Sequence, residues 1–258
     1  GRFQLGLGTQ IRQNIEGRYG VPWTDPVERM REYVGALAAI YRSFATGAPL
    51  DYPGRHYRLS RMQPFFNPGP NAGLPPPPTY LGGVNAGICR LAGEVADGFV
   101  THPTNSDPRY LTEVCLPNLE GGAAGAGRRR SDLELVVGAL IITGRDRAAL
   151  DESRQRQRRT IAFLYSTPAY ERTLELYGWE ELAERLRQMI RAGRWDDLHR
   201  LVTDDILDTL VPAATYDELP AVLHARYRGL AQGVLIHLPD PADDAALAEA
   251  IGELRRLD

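Results

Sequence analysis

Lysine is absent from this 258-residue chain, and all 30 of its basic residues are arginine. A guanidinium keeps its proton at working pH, so lysine Schiff bases and lysine general bases are excluded, as is the lysine-dependent phosphate loop. Cysteine is scarce. Cys89 and Cys115, the two present, match neither a disulfide scaffold nor a metal-type spacing. No run of about 18 apolar residues occurs, which argues against a membrane span. Charge of one sign is lacking too. The 30 basic and 33 acidic residues leave a net charge of −3, with no general attraction for nucleic acid or anionic lipid. His56, His102, His199, His224 and His237 lie far apart and form no paired-ligand pattern, so no metal site is expected. There is no Gly-x-Ser-x-Gly elbow and no Cys/His pairing, and no acid–base pair stands out as catalytic. The composition that remains, 24% charged and 43% hydrophobic, is that of an ordinary soluble globular chain. The chain starts at Gly1 with no initiator Met or signal peptide, from which a cytoplasmic protein, or a fragment of one, is expected.

Phe3-Gln4-Leu5-Gly6-Leu7-Gly8 alternates apolar with small or polar residues and reads as a strand breaking at Gly8-Thr9-Gln10. No helix-start signal follows it. Thr24-Asp25-Pro26-Val27-Glu28 does predict a helix, with Asp25 as N-cap, Pro26 in the first turn and Glu28 closing a capping box. Val27, Met30, Val34, Leu37, Ile40, Tyr41 and Phe44 form its apolar face to about Ala45, expected to pack on a sheet. Residues 47–78 include Asn67-Pro68-Gly69-Pro70-Asn71-Ala72-Gly73 and Pro75-Pro76-Pro77-Pro78, which suit neither a helix nor a central strand. They read as a long, lid-like insertion held mainly by Tyr52, Tyr57, Phe65 and Phe66. A buried strand at Thr79–Gly83, a helix at Ile88–Val95, and strands at Gly98–His102 and Leu133–Thr143 follow. Residues 146–228 read as an almost wholly helical insertion, with Leu182, Leu186, Met189 and Ile190 on one face before Gly193. Gly233–Leu238 is expected as a last buried strand and Ala242–Leu257 as an amphipathic closing helix. Five strands alternating with helices predict an α/β fold with a parallel sheet, in one domain over residues 1–258.

Two glycine turns are candidates for chemistry. Gly6-Leu7-Gly8-Thr9-Gln10-Ile11 mimics half of a dinucleotide fingerprint, but Ile11 stands where the third glycine belongs. A plain tight turn, or backbone that lets a flat ring approach closely, are the readings left open. Leu81-Gly82-Gly83-Val84-Asn85-Ala86-Gly87 runs from strand through glycines into helix, where backbone N–H groups and the helix dipole favour a phosphate; a plain turn is the alternative. His102, directly after a strand, reads as a solvated rim histidine and His237 as a satisfied core histidine. Arg154–Arg159 reads as a solvated helix face, and Asp204-Asp205 and Asp243-Asp244 as solvated helix-start charges.

Taken together, these segments resemble the luciferase-like monooxygenase superfamily, in its branch of coenzyme F420 (deazaflavin)-dependent oxidoreductases. The resemblance runs through Gly1–Gln10, Ile15–Trp23, Arg29–Tyr33, Tyr80–Gly83, Arg90–Gly98 and Ile161–Tyr170, and so covers essentially the whole chain. It implies a (β/α)8 TIM barrel in which strands four to eight are present and the first three strand–helix units are lacking. It also implies hydride transfer between coenzyme F420, or alternatively FMN, and a small organic substrate. By position, Gly8 and Thr9 would flank the ring or ribityl chain and Asn14 would face the cofactor chain. Gly82, Gly83, Val84 and Asn85 would cradle the phosphate, and Gly98 and Thr101 would line the next rim. The expected partners are a small-molecule substrate and a second copy of the chain, with no nucleic acid, membrane or metal. A non-catalytic remnant that folds only with a partner is the reading from a different class.

Overall fold

The computed structural model describes residues 3–70, 73, 75–237 and 244–256. In chain order the first elements are β1 (Leu5–Gly8), α1 (Arg12–Tyr19), α2 (Pro26–Thr46), β2 (Tyr52–Pro53), β3 (Arg58–Leu59), β4 (Thr79–Gly83), α3 (Ala86–Val95) and β5 (Gly98–Thr101). A short helix α4 (Pro108–Tyr110) continues through a π turn into α5 (Leu116–Gly125). Then come β6 (Glu134–Ala139), β7 (Ile142–Gly144), α6 (Arg147–Tyr165), α7 (Arg172–Tyr177), α8 (Glu180–Arg191), α9 (Asp204–Leu210), β8 (Ala213–Thr215), α10 (Leu219–Tyr227), β9 (Gly233–Ile236) and α11 (Asp244–Leu254). The expected α/β class holds. The five strands read from the sequence are the five of one sheet, β1, β4, β5, β6 and β9.

The chain forms two compact units, Gly1–Phe99 with Asn118–Leu133, and Val100–Pro117 with Glu134–Asp258. In the first, β1 and β4 are parallel, with Leu5 opposite Thr79 and Gly8 opposite Gly82. A helix does follow β1, against expectation. Gln10 adopts φ 62, Ile11 precedes α1 without a side-chain cap, and α1 buries no residue. It therefore left no apolar period to read.

Helix α2 begins at Pro26 as expected, but its capping box does not form. Asp25 has φ 43, which carries its carboxylate away from the helix N–H groups and toward Arg55, 3.1 Å away. Glu28 pairs with Arg31 instead, at 3.2 Å. Of the expected apolar face of α2, Met30 is buried and the other six residues are half-buried, while Glu32, Ala36, Ala39 and Ser43 are buried as well; α2 packs chiefly on α3 and β2.

Glu32 is the anchor of the 47–78 excursion. Its Oε1 accepts from the Arg55 N–H (3.0 Å), and Oε2 accepts from the His56 (2.7 Å) and Tyr57 (3.1 Å) N–H groups. Tyr33 meets Tyr57 edge-on at 5.4 Å. Phe65 and Phe66, expected as anchors, are 91% and 65% exposed and pack on each other. Asn71 and Ala72 lie outside the described residues.

Burial pushes the Glu32 carboxyl up, but the three N–H bonds outweigh it and hold it below its ordinary value. A depressed folded-state value gives stability that is present at neutral pH and lost as pH falls through that value. Glu32→Gln should therefore speed hydrogen exchange at the Arg55–Tyr57 amides at pH 7. The gap from wild type should close as pH falls through the lowered value of the Glu32 carboxyl.

Close helix contact completes this unit. A Cβ on Gly93 would lie 2.2 Å from the Leu119 carbonyl oxygen, and one on Gly122 would lie 1.9 Å from that of Arg90. Arg128 ties the same region by donating to the carbonyls of Gly93 (3.0 Å) and Ala96 (2.7 Å).

In the second unit β6 and β9 are parallel, with Val136 opposite Gly233, and β7 pairs in parallel with β8, Ile142 opposite Ala213. The single strand expected over Leu133–Thr143 is thus two strands, because the chain changes partner after Ala139. The expected helical stretch over 146–228 holds apart from β8, and α8 buries Leu182 and Leu186 as predicted. Ile161, Tyr165, Leu174, Leu186 and Leu207 are among the buried residues of the core beneath it.

The arginine run is partly turned inward. Arg154 and Arg158 are largely covered and pair with Asp208 and Asp204, while those carboxylates stay exposed, Asp204 with Asp205 in the first turn of α9 as expected. Strand β9 is outermost in the sheet order and is half-buried, with Leu235 51% exposed. His237, one residue past it, is exposed rather than in the core. Leu238, Ala242, Asp243 and Leu257 lie outside the described residues. Cys89 in the first unit and Cys115 in the second are both fully buried.

Candidate functional site

The first unit carries a cleft of about 310 Å³ at the carboxyl end of β1. Leu7, Gly8 and Thr9 form its sheet side, and Pro26, Arg29, Met30 and Tyr33 its α2 side. Trp23 and Tyr57 add aromatic walls. A Cβ on Gly8 would stand 3.6 Å from the Gly82 carbonyl oxygen, an ordinary contact, so packing alone does not demand glycine there.

Gly8 and Gly82 are register partners in parallel strands, so Thr9 and the Gly83–Asn85 turn leave the sheet at the same end. Gly83 is small for packing: its Cβ would meet Ile88 Cγ2 at 2.2 Å. Asn85 caps α3, its Oδ1 accepting from the Ile88 N–H at 3.0 Å. Val84 connects the two. Ala86 and Gly87 open the helix and are exposed, and among the described residues their backbone N–H groups have no acceptor. They suit a phosphate oxygen at the positive helix end.

The other predicted positions fall elsewhere. Asn14 lies on α1, donating to Gln10 Oε1 at 2.8 Å, and does not line the cleft. Gly98 packs against the Tyr80 ring, 2.2 Å from where a Cβ would be. Thr101 belongs to the second unit, 4% exposed, its Oγ1 accepting from the Gly138 N–H (3.0 Å) and bonded to Ser106 Oγ (2.6 Å).

His102 is half-buried rather than solvated. It stacks on Tyr170, with centroids 4.3 Å apart, and its Nδ1 bonds Thr104 Oγ1 at 2.8 Å. Burial pulls its pKa down to about 4, so the ring is neutral at pH 7.

Sequence reasoning missed most of the cleft lining. The signal was present on α2, where Pro26, Arg29, Met30 and Tyr33 follow helical spacing, but a search for aliphatic periodicity passes over an arginine and a tyrosine. No group of three or more His, Cys, Asp or Glu among the described residues could hold a metal ion. No described helix is long and apolar enough to cross a membrane.

The family model described as luciferase-like monooxygenase matches residues 1–233. An uncharacterised protein of Mycobacterium tuberculosis (strain H37Rv) is 39% identical over 235 residues, 91% of this chain and 68% of that one. The F420-dependent glucose-6-phosphate dehydrogenase of Nakamurella multipartita is 30% identical over 225 residues, 85% of this chain and 60% of that one. Among solved structures, the coenzyme F420-dependent tetrahydromethanopterin reductase of Methanopyrus kandleri superposes with a TM-score of 0.76 at 21% identity. That match covers all of this chain and 75% of the reductase, and it shows a shared fold.

Proposed function

Because the chain belongs to the luciferase-like monooxygenase family, we propose that it serves as a coenzyme F420-dependent oxidoreductase moving a hydride to or from a small organic substrate. The observation that carries this reading is the register of β1 on β4. It sets Gly8 opposite Gly82, so that two glycine turns open at one end of the sheet beside an aromatic cleft. The relative named as an F420-dependent dehydrogenase supports the choice of cofactor.

The donor set fits a phosphate-bearing ring cofactor. Gly8 has no side chain to obstruct a ligand at the turn, and with Thr9 it would flank the ring or ribityl chain beside the cleft. Gly82, Gly83 and Val84 lead the chain into α3, and Asn85 caps that helix while the exposed N–H groups of Ala86 and Gly87 would hold the phosphate. In this reading Asn14, on α1 beyond the β1 turn, faces the cofactor chain, and Gly98 borders the next rim. When bound, the deazaflavin supplies or accepts the hydride. The chain's part is to orient it and to place the substrate against it. A second copy of the chain as partner, and a cytoplasmic location, belong to the same reading.

The test is a fluorescence titration of the chain with coenzyme F420, with FMN as control. Saturable micromolar binding, about 8 kcal/mol, selective over FMN, is the expected result. Asn85→Asp keeps a good helix cap but sets a negative charge at the phosphate position. It should leave the melting temperature unchanged and weaken F420 by at least about tenfold. A folded chain that binds neither cofactor would overturn the reading.

A further inference from the structure

Arg29 occupies the face of α2 that closes the cleft. Pro26, Arg29, Met30 and Tyr33 follow i, i+3, i+4, i+7 spacing, and all four line it. The carboxylates nearest to Arg29 in sequence are committed elsewhere. Asp25 pairs with Arg55, Glu28 with Arg31, and Glu32 holds three backbone N–H groups. No acidic side chain is among the described residues lining the cleft. The Arg29 guanidinium, half-buried, has no ion pair or side-chain hydrogen bond among the described residues.

A guanidinium presents a rigid fork of donors, is weakly hydrated and cannot lose its charge, which suits it to an anionic pair of oxygens. The walls contributed by Trp23, Tyr33 and Tyr57 suit a flat conjugated body. The volume, about 310 Å³, lies at the lower end of small-molecule pockets, roughly 300–1,000 Å³. It has room for one compact ring system.

We infer that this cleft is the substrate subsite, that it takes a flat aromatic acid, and that Arg29 selects the acid group. Calling the ligand a substrate rests on the oxidoreductase reading; the preference for an anion does not.

Isothermal titration of the full chain with 2-naphthoate and its neutral isostere 2-naphthamide tests this. Wild type should bind the carboxylate at least about tenfold more tightly than the amide. Arg29→Gln should remove that preference and leave the amide's affinity and the melting temperature unchanged. Arg29→Lys, which keeps the charge but not the fork, should retain part of the preference. Equal binding of the two probes by wild type, or an undiminished preference in Arg29→Gln, would overturn the inference. Saturating coenzyme F420 should leave naphthoate binding intact; displacement of the probe by the cofactor would overturn the assignment to substrate. A naphthoate preference in a chain that binds no F420 would leave the anion subsite standing and remove the oxidoreductase reading. Binding of F420 without any naphthoate preference would do the reverse.

Discussion

Gly122→Ala should destabilise the chain by roughly 3 kcal/mol, the upper end of what an overpacked core costs. Its new Cβ would lie 1.9 Å from the Arg90 carbonyl oxygen and 2.8 Å from the Arg90 carbonyl carbon. Both are backbone atoms of α3, so no side chain can rotate away and the two helices must separate. Gly93 makes the reciprocal approach, 2.2 Å from the Leu119 carbonyl oxygen. The adjacent Gly121 is the control. A Cβ there meets only the Arg90 Nη1 tip, at 3.3 Å. Gly121→Ala should be neutral or stabilise by up to about 1 kcal/mol through helix propensity. Urea unfolding midpoints of the two variants measure the difference. Indistinguishable midpoints would mean that α3 and α5 do not approach this closely.

Acid should destabilise the chain through His102. An unfolded histidine takes up its proton near pH 6.5, whereas the folded ring, half-buried against Tyr170, does so at about 4. Between those values the unfolded chain binds the extra proton, so stability falls as pH falls. The slope is about 1.4 kcal/mol per pH unit, which accumulates to about 3 kcal/mol across the window. Unfolding free energies of wild type and His102→Gln, measured from pH 7.5 to pH 4, should converge by that amount on acidification. Parallel curves would show that the folded imidazole accepts protons freely.

Four strands of the main sheet are legible because each is a short apolar run with glycine or proline at or near its ends, β6 because its aliphatic run is long, and α2 and α8 because their apolar residues recur at helical spacing. What escaped has a common cause: it depends on partners distant in sequence. Nothing near Glu32 indicates that its carboxylate will bind the backbone of residues 55–57, so hydrophobicity alone points to Tyr52, Tyr57, Phe65 and Phe66 as anchors, of which the two phenylalanines are exposed. The division of Leu133–Thr143 into β6 and β7 is set by β8, some seventy residues later, and not by any breaker within the run. At the candidate site the glycine turns were visible as composition. That Gly83 serves packing against Ile88, and that Thr101 spends its hydroxyl on Gly138 and Ser106, required the register and the tertiary neighbours. The α2 wall of the cleft was hidden because Arg29 and Tyr33 interrupt an otherwise aliphatic pattern.

Cys89 and Cys115, fully buried and one in each compact unit, give the chain two built-in clocks. A thiol reagent can reach either sulfur only when the structure around it opens, so each modification rate records opening of its own unit. Peptide mapping after a brief pulse of reagent would separate the two rates without any introduced label. If the rates coincide at every urea concentration, the two units open together; if they diverge, the faster thiol identifies the less stable one.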